Sequence, residues 1–127
     1  MAASDVAHDP VYKIMPHADW LASQSKGLLA WAEIDRQDGF IHLSAADQVV
    51  ETANKHFEGR DGLWLLTIDA AALPSASLRW EPSRNGWLFP HVYGEIAVSA
   101  VVSAEPMPWR DGAFEFPPPF GASAGPP

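Results

Sequence analysis

The sequence predicts an α+β fold with five or six short strands and about two helices. Three observations carry this. Strand-type runs cluster along the chain instead of alternating strictly with helical ones, which argues against a doubly wound parallel sheet. Two stretches show apolar residues at helical spacing, each ended by a glycine. The chain has 127 residues, 47% of them hydrophobic, with no cysteine. That is one domain's worth of chain, able to bury a core without disulfide staples.

Residues 11–15 form a short β-prone run. Pro16 then suits the first turn of a helix that continues over 17–25 through Trp20, Leu21 and Ala22 and stops at Gly27. The turn pair Asp38-Gly39 precedes Phe40-Ile41-His42-Leu43, which reads as a strand. Ser44 and Asp47 fit a helix-capping pattern. Ala46, Val49, Val50, Ala53 and Phe57 continue it at helical spacing to Gly59. Residues 63–69 read as a buried strand, 78–81 as a short one, 82–86 as a turn-rich loop and 88–93 as short and irregular. Residues 96–102 alternate and make the last strand.

The globular domain is expected over residues 11–107, after a flexible start at 1–10. Seven of the twelve prolines fall from Pro106 onward, so 108–127 is expected to be a disordered tail. Eight basic residues against sixteen acidic ones give a net charge of −8. A long nucleic acid or an anionic membrane surface is an unsuitable partner for such a chain. No apolar run reaches membrane-spanning length and the N-terminus lacks a signal-peptide pattern, so a cytoplasmic location is expected. The sequence does not speak to oligomeric state.

Three segments concentrate the residues suited to chemistry. In DGFIHLS, 38–44, alternation sets His42 on the opposite face from Ile41 and Leu43. A neutral imidazole offers one donor and one acceptor, which suits hydroxyl recognition or proton transfer. A structural histidine bonded to a backbone carbonyl explains it as well. Phe40 and Ser44 flank it as ligand-contact candidates, Ser44 being first a helix cap. In LRWEPSR, 78–84, Arg79 and Glu81 share one strand face, and Arg84 adds a second guanidinium. Guanidinium forks grip phosphate, although an exposed Arg–Glu pair explains the same spacing. In FPHVYG, 89–94, His91 and Tyr93 share a face, with Phe89 as core. Asp35 and Asp38 read as turn formers and His56 as a dipole-complementing residue in a last helical turn. Spacings for a metal site, a P-loop, a dinucleotide fingerprint and a nucleophile elbow are all missing.

The run DGFIHLS, then Gln48, then His56-Phe57, LRWEPSR and FPHVYG resembles the DUF952 family of small bacterial proteins. The resemblance covers residues 12–107. More distantly, it is similar to the ADP-ribosyltransferase fold, which implies a cleft for NAD between two small, strongly bent sheets. There His42 would hold a ribose, and Tyr93 or Trp80 would supply a ring contact. The late glutamate of that superfamily has Glu95 and Glu81 as its candidates here. A branch of the superfamily, the RNA 2′-phosphotransferases, uses histidines and arginines, and His42, Arg79, Arg84 and His91 look similar to that set.

The leading expectation is a cleft for a nucleotide or other phosphorylated small ligand, with NAD as the cofactor the resemblance implies. His42, His91 and Glu81 are the catalytic candidates. Phe40, Ser44, Arg79, Arg84 and Tyr93 are the ligand contacts. ADP-ribosyl or 2′-phosphate transfer would be the reaction. Three alternatives stand beside it: a non-enzymatic sensing or interaction domain, a metal-assisted hydrolase using His42, His91 and Glu81, and a purely structural polar network.

Overall fold

The computed structural model describes residues 9–118 and 120. They form three α-helices and short antiparallel strands in small sheets, an α+β arrangement. Strand β1 (Val11–Pro16) leads into α1 (His17–Lys26). Then come α2 (Glu33–Asp38), β2 (Ile41–His42) and α3 (Val49–His56). Strands β3 (Leu63–Ile68), β4 (Leu78–Pro82), β5 (Leu88–Val92) and β6 (Val101–Pro106) follow, and β7 (Trp109–Arg110) with β8 (Ala113–Phe114) closes a hairpin.

Two three-stranded sheets result, ordered β1-β3-β6 and β2-β5-β4. The first is buried on both faces at its centre. Val11, Met15, Leu66 and Ile68 enter one apolar cluster with Trp20, Leu29, Ile41, Leu43 and Val92. Tyr12, Ile14, Leu63 and Leu65 enter another with Val49, Ala53, Met107 and Phe114. Successive strand residues point to opposite faces, so this alternation is what lets one strand serve two clusters. The sheets are joined where Tyr12 and Ser44 exchange backbone hydrogen bonds of 2.8 and 2.9 Å.

Several expectations are corrected. Helix α2 was not anticipated. It begins where Asp35 accepts the Ala32 backbone N–H at 2.9 Å, and it ends at Gly39, whose φ of 85° continues the chain in the left-handed region. Ser44 does not cap a helix. Its backbone bridges Tyr12, its hydroxyl donates to Thr52, and Gln48 instead accepts the Ala45 N–H through Oε1. The last strand of the main sheets is Val101–Pro106, because residues 98–100 form a turn of 3-10 helix. Nor does the ordered domain stop at Met107. The β7–β8 hairpin lies beyond it, and buried Phe114 and Phe120 complete the second apolar cluster. Residues 1–8, 119 and 121–127 lie outside the described residues. No described helix is long and apolar enough to cross a membrane.

Candidate functional site

The site grows from strand register. His42 pairs with His91 across β2 and β5, and Arg79 pairs with His91 across β4 and β5. Directly opposed residues share a sheet face. One face of this sheet therefore carries His42, His91, Arg79, Glu81, Phe89 and Tyr93, while Ile41, Val92 and Leu78 enter the core from the other. A cleft of about 830 Å³ is lined by part of this face, including His42, Phe89 and His91, and by residues of β1 and α3. His42, Ser44, His91, Arg84, Thr52 and His56 are among the residues that line it.

At one side lies a chain of buried charge. Lys13, 7% exposed, donates through Nζ to Asp35 Oδ2 at 2.9 Å and to the His42 carbonyl at 3.1 Å. Asp35 is fully buried. Its other oxygen takes the His42 backbone N–H at 3.0 Å and faces His42 Nδ1 at 2.7 Å. Burial alone would raise the Asp35 carboxyl, but the His42 hydrogen bonds and the Lys13 ammonium outweigh it, and its pKa falls to about 2. Desolvation pushes the Lys13 ammonium below its ordinary value, against the pull of Asp35. His42 Nε2 is also engaged, 2.9 Å from Asp38 Oδ2. An ionised carboxylate only accepts, so the doubly protonated ring satisfies both contacts at once.

His91 is held differently. Its side chain is buried, and Nδ1 meets Glu81 Oε1 at 2.8 Å. The same oxygen accepts the Tyr93 hydroxyl at 2.7 Å. These two hydrogen bonds hold the Glu81 carboxyl below its usual range, and the Glu81 contact raises the Tyr93 phenol. The carboxylate therefore keeps the imidazole proton on Nδ1. In the neutral ring Nε2 is then an acceptor, and it makes no hydrogen bond to any described residue. The Phe40 ring stacks on His91, with centroids 4.2 Å apart, and contacts His42 and Tyr93 at 4.5 and 5.0 Å.

The third element is Arg84. It follows β4 in a tight turn that places Asn85 at φ 61°. Its guanidinium lies over the Phe89 ring at 4.9 Å. Nη2 donates to Thr52 Oγ1 at 3.1 Å, and Nη1 donates to His56 Nε2 at 3.2 Å. Thr52 in turn accepts from Ser44 Oγ at 3.2 Å. Among the described residues Arg84 makes no ion pair, and its Nε is buried without a hydrogen-bond partner. His56 is pushed below its ordinary pKa by burial and then by Arg84 and Lys55, consistent with a neutral ring accepting from Arg84.

The sequence candidates thus divide. His42, Ser44, Arg84 and His91 line the cleft. Glu81 does not line it but meets His91 Nδ1. Phe40, Arg79 and Tyr93 do not line it. Arg79 stands over the Tyr93 ring at 5.1 Å, apart from Arg84, so the two guanidiniums do not form one grip. Glu95 bonds Trp31 Nε1 at 3.1 Å, also outside this cleft. Lys13, Asp35, Thr52 and His56 were missed as site residues. For Thr52 and His56 the signal was present, since four residues apart on a helix they share a face. Among the described residues no three His, Asp or Glu side chains are grouped to hold a metal ion.

A scan against known families matches residues 14–104 to "Protein of unknown function (DUF952)". The chain belongs to the DUF952 family. Among solved structures it is similar to protein CC0527 from Caulobacter crescentus. The crystal structure of CC0527 is 40% identical, covers 83% of this chain and 92% of its own, and superposes with a TM-score of 0.77. The solution structure of the same protein is 38% identical, covers 90% and 95%, and gives 0.75. No curated protein matches. The comparisons thus give this DUF952 chain its family and its fold.

Proposed function

We propose that the cleft binds a small phosphorylated ligand of nucleotide type, with its phosphoryl group on Arg84. The carrying observation is a guanidinium oriented by Thr52, His56 and Phe89, unpaired by any described carboxylate, with a buried Nε–H that lacks an acceptor. A buried donor without a partner costs about 1–3 kcal/mol, which a phosphate oxygen would recover. His42 and His91 then face the rest of the ligand. His91 Nε2, an acceptor fixed by Glu81, suits a ribose hydroxyl, and His91 would act as the general acid–base if the ligand turns over. NAD and ADP-ribose remain candidate ligands. Between the two transfers implied by the sequence resemblance, 2′-phosphate transfer suits this residue set better. Glu81 is committed to His91 and Tyr93, and Glu95 lies outside the cleft, so neither carboxylate is free beside His91.

The test is an amide NMR titration of the full chain with NAD, ADP-ribose and AMP. Shifts are expected around Thr52, Arg84 and His91, and they should vanish in Arg84→Met. Absence of shifts at millimolar ligand would overturn the reading. A second reading, binding without turnover, is favoured by one observation: both His42 ring nitrogens are already engaged by carboxylates. Binding with neither nicotinamide release nor phosphate transfer would establish it.

A further inference from the structure

We propose that the cleft is polarised along its length. It selects a ligand with one anionic end and one neutral, hydroxyl-bearing end, a sugar phosphate moiety whose hydroxyls face Asp38 and Glu33. This rests on the phosphate reading above and adds orientation and class. A series of contacts defines the axis. Arg84 lies over Phe89. Phe89 and His91 share a face of β5, the His91 and His42 rings lie 5.4 Å apart, and His42 meets Asp38. At the Arg84 end the lining also includes His56 and Arg60, and no described ion pair neutralises either arginine. Glu33 begins the short helix that Asp38 ends, and both line the cleft with Asp19; neither Glu33 nor Asp19 is in a described ion pair, and Lys13 beside them has its ammonium held by Asp35 and the His42 carbonyl. Asp38 uses only Oδ2, on His42. Carboxylates accept and do not donate, so that end suits hydroxyl groups and repels a second phosphate. Between the ends, the free Nε2 of buried His91 accepts one more hydroxyl.

The experiment is calorimetric titration of the full chain with inorganic phosphate, fructose 6-phosphate and fructose 1,6-bisphosphate. It is repeated on the double variant Glu33→Gln/Asp38→Asn, whose fold is checked by its circular dichroism and melting temperature. The monophosphate should bind more tightly than inorganic phosphate, and about tenfold or more tightly than the bisphosphate. The double variant should shrink the second gap to about threefold or less. A bisphosphate that binds as well as the monophosphate, or a gap indifferent to the double variant, would overturn the polarity while leaving the phosphate reading intact. Absence of binding by all three would overturn the sugar phosphate assignment, and absence of shifts in the nucleotide titration as well would overturn the phosphate reading.

Discussion

The two charged regions of the cleft are built on opposite plans. Around Lys13 every charge has found its counterpart: a buried ammonium and a buried carboxylate satisfy one another, and the half-buried His42 imidazole joins them. Around Arg84 the guanidinium is braced by neutral groups and a ring, and its charge is left unanswered. A closed network stabilises or destabilises as a unit, because removing one member strands another buried charge. An open one can lose its charge with little loss to the fold, and on the phosphate reading proposed above the loss falls on binding. The difference separates what maintains the molecule from what the molecule can do.

The sharpest way to break that comparison is Asp35→Ala. It strands Lys13 and should cost about 3–5 kcal/mol in urea denaturation. A loss comparable to an ordinary surface substitution would mean the network is not a unit. Phe114→Ala, in the second apolar cluster, should cost a similar or slightly smaller amount, about 3 kcal/mol or more. If it were silent, the hairpin would not belong to the core. Acid comes next. The Asp35 pKa is about 2 folded against an ordinary 3.8, so its contribution is present above pH 4 and is lost as pH falls through 2. The difference is worth about 2 kcal/mol. A pH series of denaturation curves, wild type against Asp35→Asn, should converge toward pH 2. Arg84→Met should leave the melting temperature nearly unchanged while abolishing phosphate binding, and a large drop in stability would make Arg84 structural. The smallest effect expected is on the tautomer. Glu81→Gln should shift the His91 ring-nitrogen signals without disturbing the amides of β1. Unmoved His91 signals would mean that Glu81 does not set its proton.

Much of this was legible in the sequence because it depended on period alone. Strand alternation already opposed His42 to Ile41 and Leu43, and Arg79 to Trp80. What escaped depended on pairing between distant segments. Asp35 looks like a turn former because Asp-rich helix ends and turns share a composition, and only the fold brings it to Lys13, 22 residues away. Lys13 itself reads as an ordinary lysine in a short strand. Arg79 and Arg84 look like one grip at five-residue spacing, but the turn at Asn85 and the end of β4 direct them to different surroundings. The hairpin after Met107 was hidden by the prolines around it, which depress strand propensity without forbidding a two-residue ladder.

Lys13 has one more consequence, for how the chain finds its alignment. It sits between Val11 and Met15 on the face of β1 turned toward Asp35, while Tyr12 and Ile14 face the other cluster. Both faces of β1 are apolar, so hydrophobic patterning alone distinguishes poorly between the native pairing with β3 and one displaced by a single residue. A displaced pairing would turn the Lys13 ammonium toward Val49, Leu65 and Met107, where no carboxylate waits. A single buried lysine thus penalises a one-residue slip in either direction, which the surrounding hydrophobic residues alone would tolerate.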